Sequence, residues 1–419
     1  MIYGINYLTL YIKFEMFLDW DFSPPDFSEI EDKGVLLKGS HLAGKHIAVC
    51  VTGSIAAYRV PDLIRELRKE GADTTVFITK EGLNYVSRKA LEWCSQKKII
   101  ESFSLEAEHL NDSNPFDAVL VAPASYNTIN KVALGIADSV VTTSIAAALG
   151  RMERKGVPVL FAPAMHGLMH NNTLIKSLSI LKEEGAIIIP PKQIDGKNKL
   201  AAIELIVAFT IRAINKPTLS DKSILITGGS TPVPLDSIRF ITSCFTGALS
   251  IEIAREAWFK GAKVQLVLGK GSKAAPEFLK VKLAQNFNDY KKEVHSLLQK
   301  HSFDWGIFTA AAADFHPESV YDGKFSSQID KLTLNLLPTK KLIEGVKKDF
   351  PYLSKKAQEV LKKHNWLGNV RELENVILRS IVLSNSININ ERHIIVDESI
   401  QNHNEYYQQL EDKIFALGN

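Results

Sequence analysis

Cysteines, long apolar runs and targeting signals are scarce in this sequence. Its 419 residues include only Cys50, Cys94 and Cys244, without CxxC spacing, so no disulfide framework or zinc site is predicted. The most apolar stretch, 200–211, contains Glu204 and is too short to span a bilayer. The N-terminus has neither a basic start nor a small-residue cleavage site, so we expect no signal peptide and a cytoplasmic location.

An excess of charge of one sign is also missing. Lysine and arginine number 50 against 47 acidic residues, which gives a formal net charge of +3. Such a balance provides no global field for nucleic acid or membrane, so neither is predicted as a partner. With 45% apolar and 23% charged residues, the composition is that of a globular protein, and the length predicts two or three domains.

Strand and helix patterns alternate through the first half of the chain. Residues 46–53, HIAVCVTG, are an apolar run that ends in glycine, typical of a buried parallel strand. Helical spacing follows over 55–70 and again, as a last helix, over 197–215. Further strands are predicted at 74–79, 116–122, 158–164 and 186–190. This alternation predicts a doubly wound parallel α/β domain over 40–215, preceded by an N-terminal extension at 1–39.

The same pattern restarts after a linker at 216–222. A strand that ends in glycines is followed by an amphipathic helix and two more strands, at 223–229, 246–261, 262–269 and 303–314. The segments RKEGADTTVFIT and WFKGAKVQLVLG also match each other in the two halves. We therefore predict an α/β chain with two tandem Rossmann-like, doubly wound parallel-sheet domains. The second covers 216–350, and a small α-helical segment covers 351–419.

Three polar loops provide candidates for a cofactor site. They lie at the end of the first strand (VTGSIAAY), after the strand FDAVLVA (PASYNT) and at the start of a helix (TTS). The candidate side chains and glycines are Gly53, Ser54, Ser125, Asn127, Thr128, Thr142 and Thr143. Each loop alone also fits an ordinary strand–helix turn. Because the carboxyl ends of parallel strands meet at one edge, three such loops together favour a bound cofactor phosphate.

Three histidines are candidates for chemistry. His109, in EAEHLNDSN, precedes a strand, and its position alone fits a surface histidine equally well. His166 and His170, in PAMHGLMH, have the i, i+4 spacing of a metal pair. No HExxH motif or further ligand set accompanies them, so no metal site is predicted.

The segments GSIAAY, PASYNT, GIADSVVTT and APAMHGLM, in this order, resemble the flavin-dependent cysteine decarboxylases. Over about 35–350 the chain resembles more closely the bifunctional phosphopantothenoylcysteine decarboxylase / phosphopantothenate–cysteine ligase family. The form PAMH and IDGKNKLAA (194–202) are most similar to its archaeal-type branch. The resemblance implies an enzyme of coenzyme A biosynthesis and a homo-oligomer. It also implies FMN-dependent decarboxylation of 4′-phosphopantothenoylcysteine to 4′-phosphopantetheine, in which the flavin carries the redox step.

The resemblance also implies residue roles in the first domain. His109 falls at the position of the family's catalytic base, and Met165 falls where it would border the substrate. Asp138 stands where the bacterial form has asparagine. A cysteine on the bacterial substrate-covering flap has no counterpart in 191–200, which puts the final reduction in question.

In the second half, ITGGSTPVPLDSIRFIT (226–242) and AAAADF (310–315) resemble the nucleotide site of the ligase. The resemblance implies that CTP binds with Mg²⁺ at Gly228, Gly229, Asp314, Lys324 and Lys341. Two residues depart from the family pattern, Ser243 at an asparagine position and Ser250 at a glycine position. The family's later ligase segment is absent as well. We therefore expect an impaired CTP-dependent ligase.

The segment 353–390 resembles the end of the ATPase domain of enhancer-binding transcription activators, with Arg371 at the ATP-sensing position. No Walker A motif occurs in the sequence, so a fused remnant without ATPase activity is predicted. Two other interpretations stay open: a non-catalytic flavin-binding or regulatory fusion protein, and a DNA-associated regulator. The absence of a basic stripe opposes the second of these.

Overall fold

The structure is a computed structural model. It describes residues 23, 30–110, 114–215, 217–325, 331–339, 352–364, 366, 373, 376–377, 380, 384 and 388–396. Within this part of the chain, no helix is long and apolar enough to cross a membrane.

The first domain is a five-stranded parallel sheet covered by helices on both faces. Its strands are β1 (His46–Val51), β2 (Asp73–Ile78), β3 (Ala118–Ala124), β4 (Val159–Pro163) and β5 (Ile187–Ile188). Its helices are α1 (Val60–Lys69), α2 (Arg88–Ser95), α3 (Tyr126–Ala133), α4 (Val140–Lys155), α5 (Asn172–Glu183) and α6 (Ile203–Ile214). The strand order β2-β1-β3-β4-β5 is that of a doubly wound sheet whose direction of growth reverses between β1 and β3.

Alternating side chains of the strands supply two cores. Ile47, Val49 and Val51 of β1 pack into the cluster covered by α1, α2 and α6. Ala48 and Cys50 pack into the cluster covered by α3, α4 and α5. Every residue of β1 is buried, because a parallel strand between two helical layers has no solvent face.

The second domain contains a four-stranded parallel sheet. Its strands are β8 (Ser223–Gly228), β11 (Lys263–Gly269), β12 (Lys280–Ala284) and β13 (Trp305–Phe308). Its helices α7 (Ala248–Phe259) and α8 (Phe287–Lys300) cover opposite faces of the sheet. The strand order is β12-β11-β8-β13, which reverses between β8 and β13. The prediction of two doubly wound parallel-sheet domains is therefore confirmed.

Three segments differ from their predicted structure. The strand predicted at 303–314 covers only Trp305–Phe308, and the residues after it form a loop. The segment 55–70 begins as a 3-10 turn at Ile55–Arg59, and α1 follows with Pro61 in its first turn, where proline favours a helix start. The predicted last helix over 197–215 is shorter. Its first residues form an antiparallel hairpin of β6 (Lys192–Ile194) and β7 (Lys197–Lys199). Asp195 and Gly196 both have positive φ, as a two-residue hairpin turn requires.

The two domains share a packed interface between α6 and α7. Arg212 donates hydrogen bonds to the carbonyl oxygens of Trp258, Gly261 and Ala262, so a cation caps the end of α7. Its guanidinium lies 4.6 Å from the centre of the Trp258 ring. Phe259 belongs to the core of the first domain although it lies in the second.

His41 adds an ionic contact to this interface. Its Nδ1 lies 2.7 Å from Glu70, at the end of α1, and its Nε2 lies 2.8 Å from Glu256 on α7. Hydrogen bonds with Glu256 and then Glu70 raise the pKa of His41 to about 9, against the opposing effect of burial. The protonated imidazole therefore joins two carboxylates from different domains.

Smaller ribbons and the last segment complete the fold. The ribbons are β9 (Val233–Pro234) with β10 (Phe240–Ile241), and β14 (Phe315–Pro317) with β15 (Leu336–Pro338). In the last segment, α9 (Lys355–Lys363) accompanies parallel β16 (Tyr352–Leu353) and β17 (Asn388–Ile389). Its apolar residues form a separate core of Ala357, Leu361, Val376, Ile389 and Ile394. Arg371 lies outside the described residues.

Candidate functional site

Thr52 joins the two loops at the point where the first sheet reverses. This buried residue follows β1, and its hydroxyl donates to the carbonyl oxygen of Pro123 at 2.6 Å. The same oxygen accepts the backbone N–H of Ser125 at 3.0 Å. Gly53 and Ser54 are therefore held beside Ser125 at the carboxyl edge of β1 and β3. In doubly wound sheets, ligands bind at this position.

Three capped helix starts lie in the segments that follow β1 and β3 along the chain. Ser54 caps the 3-10 turn, Ser125 caps α3, and Ser139 caps α4. In each cap the serine oxygen accepts a backbone N–H. The hydroxyls of Ser125 and Ser139 also contact those of Thr128 and Thr142, at 3.1 and 2.9 Å. Helix N-termini present backbone donors and a positive dipole end, which together favour an anionic group.

Thr142 takes part in the cap of α4. Its hydroxyl accepts the N–H of Ser139 at 2.9 Å, and the residue is only 3% exposed. Thr143 donates to the carbonyl oxygen of Ala137 at 3.2 Å. In the loop that begins α3, Thr128 is buried and contacts Ser125, whereas Asn127 is exposed. Thr52 thus links the loops after β1 and β3, and the Lys131–Asp138 pair links the start of α4 to α3. Of their polar side chains, the buried Thr142 and Thr128 mainly stabilise helix starts.

Asp138 lies beside the cap of α4. Its carboxylate pairs with Lys131 at 2.5 Å and accepts the Thr142 hydroxyl at 3.4 Å. The hydrogen bond from Lys131 is the main reason why the pKa of Asp138 lies below its usual value. Asp138 is therefore a carboxylate at neutral pH and adds negative charge to the rim of this edge.

The β6–β7 hairpin adjoins the loop that follows β4. The backbone of Met165 exchanges two hydrogen bonds with that of Asn198, at 2.8 and 3.1 Å. The side-chain amide of Asn198 lies 2.5 Å from Nδ1 of His170, and Nδ1 of His166 accepts the N–H of Leu168. A Cβ added at Gly167 would overlap the carbonyl oxygen of Gly196 at the hairpin tip. The segment 191–200 is thus an ordered flap against Met165.

His109 is placed apart from these loops. Its ring stacks on Phe103 with 3.9 Å between centroids, and it shares a small pocket with Ala148 and Arg151 of α4. These two residues follow Thr142 by about two turns of helix, roughly 10 Å along its axis. Burial, and then Arg151, lower the pKa of His109, so its imidazole is neutral at pH 7. Nδ1 has no hydrogen-bond partner among the described residues.

Exposed apolar side chains surround the carboxyl edge of the first sheet. They lie on the 3-10 turn after β1, on the loop after α3 and on the turn after β4: Ile55, Tyr58, Leu134, Ile136, Leu168 and Met169. Their exposure ranges from 41% for Ile136 to 86% for Leu168. Large exposed apolar side chains on three loops after the strands of one sheet favour a contact surface or a ligand site there.

In the second domain, glycines and small side chains meet at the carboxyl edge of β8. Gly229 has φ of +75°, and Gly247, with φ of +71°, begins α7 close to it. Ser250 is buried, and its hydroxyl donates to the carbonyl oxygen of Gly247 at 2.7 Å. A Cβ added at Gly228 would overlap the Ser250 side chain. The serine therefore fits only because Gly228 has no side chain.

The two other predicted nucleotide segments lie against the loop that follows β8. The hydroxyl of Thr231 accepts the N–H of Ala313 at 2.9 Å, next to the exposed Asp314. The buried carboxylate of Asp236 accepts the N–H of Phe325 at 3.1 Å, next to the exposed Lys324. Gly228, Gly229, Asp314 and Lys324 thus belong to one network of loops. Lys341 lies outside the described residues.

Sequence reasoning missed Thr52, Asn198 and Asp236, which link segments of these two sites. Each acts through a contact between segments distant in sequence, and such contacts leave no local pattern. Thr52 had one signal, since a polar residue directly after a buried strand at the first strand–helix turn lies at the ligand edge.

Three family models match the chain. Residues 37–215 match a flavoprotein family, and 219–355 match the DNA/pantothenate metabolism flavoprotein C-terminal domain. Residues 328–410 match the AAA+ ATPase lid domain, in agreement with the resemblance of the last segment to the end of an ATPase domain.

Curated relatives match both domains together. The coenzyme A biosynthesis bifunctional protein CoaBC of Thermococcus kodakarensis is 34% identical, over 74% of this chain and 76% of its own length. That of Methanocaldococcus jannaschii is 31% identical, over 89% and 91%. That of Bacillus subtilis is 31% identical, over 71% and 75%. Among solved structures, the FMN-dependent cysteine decarboxylase SpaF matches 41% of this chain and 99% of its own at 23% identity, with a TM-score of 0.36.

Proposed function

The chain belongs to the family of coenzyme A biosynthesis bifunctional proteins, CoaBC, and we propose that its first domain uses FMN to decarboxylate 4′-phosphopantothenoylcysteine to 4′-phosphopantetheine. It is an enzyme of coenzyme A biosynthesis with a decarboxylase domain followed by a ligase domain. The observation that carries the proposal is the Thr52 bridge, which holds two capped helix starts at the reversal point of a parallel sheet.

The donor set at this edge fits FMN. Backbone N–H groups at the starts of the 3-10 turn, α3 and α4 suit its phosphate, and Gly53 keeps the first loop free of a side chain. The residues proposed to hold it are Gly53, Ser54, Ser125, Asn127, Thr128, Thr142 and Thr143. When bound, FMN supplies the oxidation and reduction that decarboxylation of a cysteine requires. Met165 and the β6–β7 hairpin would cover the substrate and exclude water.

The position of His109 leads us to propose a homo-oligomer. His109 lies beside α4, about 10 Å along the helix axis from Thr142. At that distance it does not reach a substrate bound at the loops of its own chain. His109 of a second subunit would complete the site, and its neutral imidazole can accept a proton. The exposed apolar side chains around the loops fit burial between subunits.

For the second domain we propose a CTP site with reduced or no ligase activity. Gly228, Gly229, Asp314 and Lys324 line one edge, Lys341 belongs to the proposed set, and Mg²⁺ would accompany the nucleotide phosphates. Ser243 lacks the amide donor of an asparagine, and misplaced groups are costly in acyl transfer. Coupling of cysteine to phosphopantothenate with CTP should therefore be very slow in the purified protein. Rapid turnover in that assay would refute this.

The last segment, in this proposal, is a helical appendage without ATPase activity. Five of its described apolar residues pack into a core of their own, which supports a separate appendage. We propose domain boundaries at 1–39, 40–215, 216–350 and 351–419, which agree with the two matched families and the linker near 216–222.

The decarboxylase proposal is tested on the purified full chain. We expect a flavin absorbance spectrum and release of carbon dioxide from 4′-phosphopantothenoylcysteine. His109→Ala should keep the flavin and lower turnover by about 100-fold or more, since a general base contributes roughly that much. Co-expression of His109→Ala with Gly53→Val should restore turnover that neither variant shows alone. A protein that stays colourless after incubation with FMN would overturn the proposal, and failure to complement would overturn the shared site.

A further inference from the structure

Asp236 has a buried carboxylate that connects two segments of the second domain. Its side chain is 0% exposed. One oxygen accepts the backbone N–H groups of Ile238 and Arg239, at 2.9 and 2.6 Å. The other accepts the N–H of Phe325 at 3.1 Å and lies 3.3 Å from Nη1 of Arg239. Burial disfavours the charged form, but three backbone donors and Arg239 keep the pKa of Asp236 below its usual value.

The segment that Asp236 holds has no helix or strand of its own. Residues 321–325 run as an irregular loop over the β9–β10 ribbon. The N–H of Ser237 donates to the carbonyl oxygen of Gly323 at 2.9 Å, and that of Tyr321 donates to Leu235 at 3.0 Å. Phe325, directly after Lys324, is bonded to charged groups: its N–H donates to Asp236 at 3.1 Å, and its carbonyl oxygen accepts Nη1 of Arg239 at 3.4 Å. Bonds to charged groups are the stronger ones.

We propose that Asp236 is a positioning residue for nucleotide binding: its carboxylate fixes the backbone beside Lys324, so that the lysine ammonium is presented at the carboxyl edge of β8. The inference rests on the proposed function, because it takes Lys324 to be a phosphate-binding residue. Thr231, five residues earlier in the same loop, holds Ala313 beside Asp314 in the same way. The loop after β8 therefore orders the two other segments of the site before any nucleotide arrives.

Preorganisation of this kind has a measurable cost when it is lost. A lysine has many rotamers and a mobile backbone adds more, so ordering the segment at the moment of binding lowers affinity. Asp236→Asn preserves size but removes the charge that the Phe325 and Arg239 donors require. The segment should then open locally more often, while the parallel sheet below it stays folded.

The first test is hydrogen–deuterium exchange of peptides that cover 321–325 in the full chain. Asp236→Asn should speed exchange there by about tenfold, the loss expected for one charge-assisted bond. The matched control is Asp304→Asn, at the opposite end of β8, where the carboxylate accepts the N–H of Ser223. The control should leave 321–325 unchanged. Unchanged exchange in Asp236→Asn would show that Asp236 does not hold residues 321–325, whether or not the protein binds CTP.

The second test asks whether Asp236 acts through Lys324. CTP affinity is measured by calorimetry in the wild type, Asp236→Asn, Lys324→Ala and the double variant. We expect Asp236→Asn to weaken binding by about fivefold alone and to have no further effect once Lys324 is removed. Equal losses in both backgrounds would show a merely structural role and overturn the proposal. If Lys324→Ala alone leaves CTP affinity unchanged, Lys324 is not a nucleotide-binding residue. The exchange experiment then still shows whether Asp236 holds residues 321–325.

Discussion

Thr52 shows how one hydroxyl can hold a site together at the scale of a single residue. It donates to Pro123 and accepts from Ser125, so its loss removes a partner from the carbonyl at the end of β3 and from the N–H that follows it. Thr52→Val keeps the shape and removes the oxygen. We expect a cost of about 1–3 kcal/mol in folding stability and a clear loss of flavin affinity, measured by titration of the apoprotein with FMN.

Thr74→Val is the matched control for this prediction. Thr74 is equally buried in the adjacent β2, and its hydroxyl has no hydrogen-bond partner among the described residues. Its replacement should leave flavin affinity unchanged and stability equal or higher, since an unpaired buried hydroxyl is itself unfavourable. If both variants bind flavin as the wild type does, the Thr52 bridge has no role in the site.

Residue types and strand ends were sufficient to predict the candidate loops, because parallel strands bring their carboxyl ends to one edge whatever the details. The links between loops could not be predicted. Thr52 and Asp236 act on partners 71 and 89 residues away. The placement of His109 also depends on packing against Phe103 and α4 rather than on its sequence position.

At the scale of elements, the position of the β6–β7 hairpin depends on a single close contact. Gly167 passes so close to the carbonyl oxygen of Gly196 that a methyl group there would overlap it. Gly167→Ala should push the hairpin tip outwards and lower decarboxylase turnover, while the flavin, held at the other loops, stays bound. Turnover, flavin absorbance and tryptic cleavage at Lys197 measure the three effects.

Gly150→Ala provides the control for the hairpin prediction. Gly150 lies inside α4, and a Cβ added there meets no heavy atom within 4 Å. Alanine should stabilise that helix by up to about 1 kcal/mol and leave turnover unchanged. Normal turnover with slow cleavage at Lys197 in Gly167→Ala would contradict the proposed role of the hairpin.

This hairpin also shows the limit of periodicity. The stretch KNKLAAIELIVAFTIRAIN has helical spacing over most of its length, and α6 occupies it from Ile203 to Ile214. Its first residues instead form β7, because the preceding Asp195 and Gly196 adopt positive φ and Asn198 bonds to Met165. A turn of two residues outweighs helix propensity where a strand partner is available.

At the scale of the whole molecule, the sequence predicted two domains but not the surface between them. Both patterns are complete α/β units, so nothing in either half requires the other. The interface depends on two residues. Arg212 of α6 caps the end of α7, and Phe259 of the second domain packs in the core of the first. Such contacts depend on how the two domains pack against each other. The sequence similarity between the two halves contains no information about that packing.

The His41 bridge makes the stability of this interface depend on pH. Its pKa is raised from 6.5 to about 9 in the folded chain by Glu256 and Glu70, and Arg255 lies 3.9 Å from the Glu256 carboxylate. The folded state therefore binds the proton more tightly than the unfolded state. The resulting stabilisation is complete below pH 6.5 and is lost as the pH rises through about 9.

We expect the free energy of unfolding to fall by on the order of 1–3 kcal/mol from this group across that range, once solvent screening is considered. Other groups titrate in the same window, so the difference between the wild type and His41→Gln isolates the contribution of His41. Denaturant titrations should show His41→Gln less stable than the wild type at pH 6 and nearly equal to it at pH 10. Glu256 is the main cause of the raised pKa of His41. Glu256→Gln, a change in the second domain alone, should therefore also be less stable than the wild type at pH 6 and nearly equal to it at pH 10. A stability difference that stays constant from pH 6 to pH 10 would show that His41 contributes packing on Phe259 and no charge bridge.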